Sequence, residues 1–376
     1  MLTPFQFRNY NFKLILYVIC LSVIGVFMVG SARESLQQRQ LGGVAFGIFI
    51  MLVISFINYS FVLKFYWLLY GLNICLLVLV AVFGTTKGGA QRWVNLFGIQ
   101  FQPSETAKIL LILFFAAFLM KHHEEINTIK YIGISIVLFL PVLLLIYKQP
   151  DMSTSIMVCL LFCVLLFVGG ISLKLVAGVL AIAIPVFIIA LKLVLQPDQT
   201  LIEDYQQNRI LAWLNPVEYA NAEAYQQTNS VMAIGSGQLL GKGYKNNEVS
   251  SVKNGNFISE PQTDFIFAVV GEELGFVGSC AVIVLLIFIS IECIILAMKA
   301  KDIAGSVICA GVGCLIAFQG FINISVATQV IPNTGIPLPF VSYGLTSMVS
   351  LYMGVGFVLN VGLQRKRQTT SILSLL

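Results

Sequence analysis

The sequence predicts an all-α, polytopic membrane protein with about ten transmembrane helices and one large extracellular loop. Of its 376 residues, 58% are hydrophobic and only 10% are charged, a balance that excludes an ordinary soluble domain. Apolar runs long enough to cross a bilayer recur along the chain, and short polar loops separate them. The net charge is only +5, so the sequence predicts no nucleic-acid-binding patch.

The first apolar run covers residues 14–29 and ends in Gly30-Ser31-Ala32, a pattern that also fits a signal peptide. The many similar runs that follow favour an uncleaved first span. Further spans are predicted near residues 41–60, 64–83, 104–120, 130–147, 153–171, 173–195, 265–298, 303–331 and 338–362. The chain therefore divides into spans 1–7 at residues 1–195, a large extracellular loop at 196–262, and spans 8–10 with a cytoplasmic tail at 263–376.

The distribution of basic residues predicts the orientation of these spans. With a cytoplasmic N-terminus, the inside segments contain eleven Lys and Arg residues and the short outside loops contain five. Short cytoplasmic loops are enriched in Lys and Arg, whereas long loops do not follow the rule. We therefore expect both termini in the cytoplasm and the loop at 196–262 outside.

The cysteines and histidines predict no metal centre. All eight cysteines lie in apolar runs and form no CxxC pair, so packing in the core explains them better than a disulfide framework or a zinc site. His122 and His123 are adjacent, and adjacent residues do not share a helix face, which favours a solvated loop.

Three carboxylates stand where the eighth span begins, directly after the large loop: Asp264, Glu272 and Glu273. A carboxylate inside a membrane is costly unless it is paired or functional. With Thr263 as N-cap, Asp264 would occupy the first helical turn, where the helix dipole favours its ionised form. Asp264 is therefore the candidate for a base that meets a lipid-linked substrate at the membrane boundary.

A second group of ionisable residues surrounds the start of the fourth span. Glu105 and Lys108 are three residues apart inside the span, and either an internal ion pair or a binding site for an anionic head group explains them. In the second interpretation, Arg92 or Arg39 assists Lys108. Trp93 fits an interfacial anchor as well as a substrate contact.

Three turn motifs complete the set of candidate features. Asp151 in Gln149-Pro150-Asp151 is expected to cap the next helix. The glycines at 235–243 fit either flexible turns or a phosphate-binding nest. The segment at 332–344 contains three prolines, and such rigid backbone at membrane depth is tolerated mainly where it is buried in protein or lines a cavity.

Six separated motifs, in this order, resemble the SEDS family of bacterial membrane proteins, and the RodA branch most closely. They are Gly89-Ala90-Gln91-Arg92-Trp93, Gln102-Pro103-Ser104-Glu105 with Lys108, Gln149-Pro150-Asp151, Ala233-Ile234-Gly235-Ser236-Gly237, Thr263-Asp264-Phe265-Ile266-Phe267 with Glu272-Glu273-Leu274-Gly275, and Thr334-Gly335-Ile336-Pro337-Leu338-Pro339-Phe340. The resemblance covers nearly the whole chain.

The resemblance implies a peptidoglycan glycosyltransferase of the plasma membrane. Such an enzyme joins the C4 hydroxyl of GlcNAc in one lipid II to the anomeric carbon of MurNAc in another chain, releases undecaprenyl pyrophosphate, and works beside a class B penicillin-binding protein. By motif, the catalytic aspartate corresponds to Asp264, and functional positions of the family correspond to Lys108, Glu105 and Arg39. The substrate-binding candidates are then Lys108, Glu105, Arg39, Arg92, Trp93, Gln102 and Ser342.

Several alternatives stay open at this point. No ligand cluster requires a divalent cation, although one could assist the reaction. A lipid II flippase would need an alternating-access architecture, which is commonly built from internal repeats, and comparison of the two halves of the sequence detects none. A non-catalytic scaffold for the penicillin-binding protein gives no reason to keep Asp264, Glu105 and Lys108 in costly places. The motif at Thr334 to Phe340 favours elongation of the cell wall over division or sporulation.

Four departures from the family pattern replace glycines or alter turns. The family's QPDLG reads Gln149-Pro150-Asp151-Met152-Ser153 here, its SYGGSS reads Ser342-Tyr343-Gly344-Leu345-Thr346-Ser347, and its doubled glycine after Ser236 reads Gly237-Gln238. Ser259-Glu260 replaces a Pro-Glu pair. Loss of a glycine restricts the backbone, but no departure affects Asp264, Lys108 or Glu105.

Overall fold

The computed structural model describes residues 7–87, 90–96, 99–196, 202–219, 224–245, 251, 257–258 and 260–364. Its helices are α1 Phe12–Ala32, α2 Glu34–Ser55, α3 Tyr59–Val62, α4 Tyr66–Phe83, α5 Pro103–Lys121, α6 Ile129–Tyr147, α7 Met152–Val168, α8 Leu173–Val194, α9 Asp204–Leu214, α10 Ala224–Ser236, α11 Ile266–Met298, α12 Ile303–Ala327 and α13 Leu345–Leu363. Three short strands accompany them, β1 Thr85–Lys87, β2 Ala90–Leu96 and β3 Ile99–Phe101. The tail beyond residue 364, Gly88, Gly89 and Ser259 lie outside the described residues.

The predicted membrane architecture is confirmed. Eight helical segments of the described chain are long and apolar enough to cross a bilayer, with α3 and α4 counted together as Tyr59–Phe83. The apolar helix α7 is shorter, with 17 residues, and α8 has 22 residues of similar composition. These ten segments correspond to the ten predicted spans.

Three helices form the centre of the bundle. In α5, α12 and α13, 89%, 67% and 83% of the most apolar window is buried inside the protein, against 17% in Tyr59–Phe83 and 22% in α6. A helix buried on all sides contacts protein instead of lipid, so it can carry polar groups that a lipid-facing helix could not. Glu105 and Lys108 of α5 and Asn323 of α12, which are discussed below, lie on these central helices.

A small antiparallel sheet occupies the segment that the sequence predicted only as a loop. β1 pairs with β2, and β2 pairs with β3. The Ala90–Lys87 and Leu96–Ile99 pairs close two tight hairpins, and the buried side chain of Val94 anchors the sheet on the helices. The sheet gives the residues around Arg92 a defined direction because successive side chains of a strand point to opposite faces.

The helix α11 is interrupted, whereas the sequence predicted one continuous span. Gly275 has φ 65° and ψ −161°, which is not helical. The segment 238–243 supplies the missing hydrogen bonds: the amides of Phe276 and Val277 donate to carbonyls at 238 and 239, and the amides at 242 and 243 donate to the carbonyls of Glu272 and Glu273. The polar loop thus satisfies the backbone groups that the break exposes.

Glycine is required where the two segments meet. A Cβ atom on Gly275 would lie 2.3 Å from the amide nitrogen of Gly241, and one on Gly241 would lie 2.2 Å from the carbonyl oxygen of Glu273. Both residues also have positive φ. Gln238, which stands at one of the lost family glycines, keeps a positive φ of 50°, so the turn persists without its glycine.

Candidate active site

Asp264 lies in a turn at 261–265, just before α11 begins at Ile266. The prediction that Thr263 caps the helix and places Asp264 in its first turn is therefore wrong. The N-cap residue is Phe265, and its side chain makes no capping hydrogen bond within the described part of the chain. The Thr263 hydroxyl donates to the Glu260 carbonyl instead, at 3.2 Å, which closes the turn and delays the helix.

Buried polar groups hold this turn against the proline-rich loop at 332–344. The Asn323 amide of α12 donates to the carbonyl oxygens of Asp264 and Ile336, both at 2.8 Å. The Ser342 hydroxyl donates to the Thr263 carbonyl at 2.6 Å and accepts from the Leu338 amide at 2.8 Å. Two of these bonds are buried and the other two are partly buried, and together they fix the backbone that carries Asp264.

The Asp264 carboxylate itself is half-buried and lies against backbone. A Cβ atom on Gly335 would be 3.4 Å from Oδ2 of Asp264, so the absence of a side chain there leaves space next to the carboxylate. Gly335 also has positive φ, 71°. The motif Thr334-Gly335-Ile336 therefore shapes the immediate surroundings of the predicted base.

Burial raises the pKa of Asp264 from 3.8 to about 6. The positive charges of Arg209 and Arg92 oppose this rise, and the negative charge of Glu260 adds to it. Burial disfavours a charged carboxylate, whereas nearby guanidinium groups favour it. A carboxylate with a pKa near 6 is ionised at neutral pH and still basic enough to accept a proton, as a general base must.

Arg92 on β2 reaches the Gln149-Pro150-Asp151 turn. Its guanidinium donates to the Pro150 carbonyl and lies 3.6 Å from the Asp151 carboxylate. Asp151 is also the N-cap of α7, as expected, since its Oδ1 accepts from the Thr154 amide at 3.1 Å. The hydroxyl of Ser153, in the first turn of α7, donates to the Thr334 carbonyl at 2.7 Å, which links this helix end to the loop beside Asp264.

Glu105 and Lys108 form the predicted ion pair at the start of α5. Nζ and Oε1 are 2.7 Å apart, and both side chains are almost fully buried. A buried pair of this kind is costly to break because the remaining charge loses its partner. Both interpretations from the sequence therefore survive in the structure, because a buried ion pair can also be a functional site.

Gln102 and Trp93 contribute to the same end of the bundle. The Gln102 side chain donates to Ser104 at 3.2 Å, and its backbone amide lies 3.4 Å from the Thr346 hydroxyl of α13. Trp93 is partly buried on β2, on the strand face opposite to Arg92. The structure thus joins the start of α5 to the start of α13.

Arg39 is exposed on α2, one residue before a buried amide. The Gln40 side chain donates to the Ser342 carbonyl at 3.3 Å, which ties α2 to the loop that supports the Asp264 turn. Arg39 therefore stands at the rim of this region, whereas Lys108 lies inside the bundle.

Glu272 and Glu273 belong to the break in α11 and have structural partners. Glu272 pairs with Lys242 at 3.1 Å, and Ser31 of α1 donates to Glu273. Both carboxylates are buried, and their partners come from the loop and from α1. Within the described residues, no group of three His, Cys, Asp or Glu side chains is placed to hold a metal ion.

Sequence reasoning missed three residues that the structure brings to this region: Asn323, Gln40 and Arg209. Asn323 is an amide inside a predicted apolar span, and Gln40 directly precedes one. A buried amide in such a place is a signal comparable to a buried charge. Arg209 lies on α9, inside the segment that was treated as one long loop. No motif spacing could place it near Asp264, because the two residues are far apart in the chain.

Comparison with known proteins identifies the family. The model of the cell cycle protein family FtsW/RodA/SpoVE matches residues 8–367. The chain belongs to this family. Among its FtsW/RodA/SpoVE relatives, the peptidoglycan glycosyltransferase MrdB of Escherichia coli K12 is 34% identical over 364 residues, 96% of this chain and 95% of that protein. A probable peptidoglycan glycosyltransferase FtsW of Geobacter metallireducens is 30% identical, with 96% of each chain covered.

Solved structures agree with the family. RodA of Thermus thermophilus, a rod shape determining protein, superposes with a TM-score of 0.70 at 26% identity and covers 95% of this chain and 98% of its own. A chain of a peptidoglycan synthase complex that coordinates polymerization and crosslinking gives a TM-score of 0.78 at 27% identity, with 95% and 99% covered. The FtsW/RodA/SpoVE membership predicted from six motifs is confirmed, and with it the enzyme class, peptidoglycan glycosyltransferase.

Proposed function

We propose that this membrane protein polymerises lipid II into glycan strands during cell-wall elongation, with Asp264 as the general base. The observation that carries the proposal is the fixed position of Asp264 together with its raised pKa. Its backbone is fixed by Asn323 and its carboxylate borders Gly335, while burial holds its pKa near neutrality. The relation to MrdB and RodA favours elongation over division, and the comparisons do not favour a flippase or a scaffold.

The reaction needs one proton acceptor and stabilisation of one leaving group. Asp264 accepts the proton of the GlcNAc C4 hydroxyl while the oxygen of that hydroxyl attacks the anomeric carbon of MurNAc. The bond from that carbon to the phosphate oxygen breaks, and its electron pair leaves with the pyrophosphate. A single displacement inverts the α-linked donor to a β-linked product, so no covalent enzyme intermediate is required.

Positive charge near the departing pyrophosphate comes from the arginines and the lysine of this end of the bundle. The positive charges of Arg92 and Arg209 lower the pKa of Asp264. Lys108 lies in the buried pair with Glu105, and Arg39 is exposed at the rim of this region. Fixed charges of this kind stabilise developing anions without reorganisation. Trp93, Gln102 and Ser342 complete the proposed substrate-binding set, with Ser342 acting through the turn that it supports.

The partner and the orientation follow from the same proposal. A class B penicillin-binding protein would crosslink the strands, which is consistent with the likeness to a peptidoglycan synthase complex. The end of the bundle that carries Asp264 faces outward at the plasma membrane, and both termini are cytoplasmic. Lipid II and the surrounding membrane lipids reach the site from the outer leaflet.

Lipid II polymerisation by the purified protein, with and without its penicillin-binding protein, tests the base. Asp264→Asn should abolish glycan strands because the amide cannot accept the proton. The variant should still fold, since it removes a charge that burial disfavours.

Glu218→Gln is the control because it removes an exposed carboxylate between α9 and α10, away from the Asp264 turn, and it should retain activity. Equal product from Asp264→Asn and wild type would remove Asp264 as the base. No product from wild type, even with the partner, would favour a flippase or a scaffold.

A further inference from the structure

Gln319 of α12 is a fully buried amide without a partner among the described residues. Its relative exposure is 0%, and neither its nitrogen nor its oxygen has a hydrogen bond within the described part of the chain. An unpaired buried amide destabilises the folded protein, because it has lost its hydrogen bonds to water and gained none in return. A leucine would fill the same volume without this cost, so the presence of Gln319 needs a reason.

Contacts between the central helices show which way Gln319 faces. A Cβ atom on Gly354 of α13 would lie 3.0 Å from Ile109 of α5 and 3.2 Å from Val312 of α12. Val312 therefore points to the junction of α5 and α13. Gln319 follows seven residues later, which is two helical turns on nearly the same face and about 10 Å along the axis.

The direction of α12 carries Gln319 towards the buried ion pair. The contacts Thr106–Ser350 and Ile109–Gly354 show that α5 and α13 run parallel, and the contacts Gly305–Val361 and Val312–Gly354 show that α12 runs opposite to them. Two turns beyond Val312, α12 is level with the first turn of α5. Glu105 occupies that turn on the stripe that contains Ile109, and Lys108 is bonded to it.

Asn323 lies one turn further along α12, on the same face as Gln319. Its amide nitrogen binds the Asp264 and Ile336 carbonyls, but its oxygen has no partner among the described residues. Gln319 therefore stands between an ion pair with a lysine donor and an asparagine with an unpaired acceptor. Its oxygen can accept from Lys108, and its nitrogen can donate to Asn323.

We propose that Gln319 is a positioning residue whose amide bridges Lys108 and Asn323 during the reaction and so couples the buried ion pair to the turn that carries Asp264. The proposal rests on the proposed function of Asp264 as the base. In this structure Gln319 makes neither of these hydrogen bonds, and a rotation of its side chain forms both. A substrate anion that draws Lys108 away from Glu105 would thereby change the position of the turn that carries Asp264.

Gln319→Leu tests the bridge in the lipid II assay, with steady-state rates and the thermal unfolding midpoint measured together. The expected result is a kcat lowered about tenfold, as for one lost buried hydrogen bond at the reacting group. KM should stay unchanged because Gln319 does not contact substrate, and the midpoint should stay equal or rise because leucine leaves no unpaired amide. Gln319→His, which keeps one donor and one acceptor, should recover part of the rate.

Asn360→Leu is the contrasting control at the other end of the bundle. The Asn360 amide has partners on both sides, the Tyr59 amide at 2.9 Å and the Ser55 carbonyl at 2.8 Å. Its replacement should lower the unfolding midpoint, which shows that the measurement detects a buried amide that serves only stability.

Each other outcome for Gln319→Leu overturns the inference. A wild-type kcat means that the bridge does not form, a lower midpoint means that Gln319 has a structural role, and a raised KM with an unchanged kcat means direct substrate binding. Failure of the proposed function is seen separately, as activity retained by Asp264→Asn.

Discussion

At the scale of single residues, the balance between burial and nearby charges sets the pH above which Asp264 is ionised and can act as a base. Burial alone would keep this carboxylate protonated to higher pH, and Arg209 and Arg92 bring its pKa back to about 6. A general base works in its ionised form, so activity should rise with pH through this value. The acid limb of the pH–rate profile therefore reports the surroundings of Asp264.

Arg209→Gln should move that limb to higher pH, because a lost positive charge raises the pKa of a nearby carboxylate. The loss of lipid II polymerisation should be large near the pKa of Asp264 and smaller well above it. Arg209→Lys keeps the charge and should retain the wild-type profile, as should Arg33→Gln, which changes an exposed arginine of the α1–α2 junction. An equal loss at every pH would assign Arg209 to substrate binding or folding.

At the scale of elements, the break in α11 makes the large loop part of the bundle. The amides at 242 and 243 bind the last carbonyls of the first half of α11, and the carbonyls at 238 and 239 bind the first amides of its second half. Inside a bilayer these groups have no water as an alternative partner. The loop and the helix must therefore form together.

Gly275→Ala should prevent this assembly, because the new Cβ would overlap the Gly241 amide and the backbone conformation is almost restricted to glycine. We expect a strongly reduced yield of folded protein and a lower unfolding midpoint in detergent. Gly42→Ala is the matched control, since nothing lies within 4 Å of the added atom. That change should be neutral or stabilising by about 0.5–1 kcal/mol. Similar effects from both substitutions would contradict the tight contact.

At the scale of the whole molecule, the proposed orientation places the large loop outside and both termini in the cytoplasm. Val217, between α9 and α10, is highly exposed, which makes it the site chosen for an inserted reporter. Alkaline phosphatase inserted there should be active, because it folds only outside the cytoplasm, and green fluorescent protein fused to the C-terminus should fluoresce. An active phosphatase at the C-terminus would reverse the predicted topology.

The membrane architecture was predictable because it follows from local composition. A bilayer requires about twenty apolar residues per span, and this requirement is met or missed within each segment independently. All ten spans were found in this way, although α13 begins at Leu345, after a rigid loop that was counted with the span. Motif order was equally sufficient for the family, and capping by Asp151 followed from its position before α7.

The candidate site was predictable only in part. Asp264, Glu105 and Lys108 stood out because a charge in an apolar run is costly wherever it lies. The break at Gly275 was missed, since it depends on hydrogen bonds to the distant segment 238–243. The small sheet was missed because two of its strands have only three residues, too few to give an alternating pattern. The start of α11 was also missed, because the Thr263 hydroxyl bonds to the Glu260 carbonyl and does not cap the helix.

The sequence by itself determined the number of spans, the family and the residues that pay an electrostatic cost in the membrane. Only the tertiary structure decided what those residues do to one another. It brought Arg209 of α9 into the field of Asp264, bound the Asp264 turn to Asn323 and Ser342, and left the buried amide of Gln319 without a partner among the described residues. The physical reason is that burial is a property of each segment, whereas hydrogen bonds and charge interactions depend on distances between segments that only packing sets.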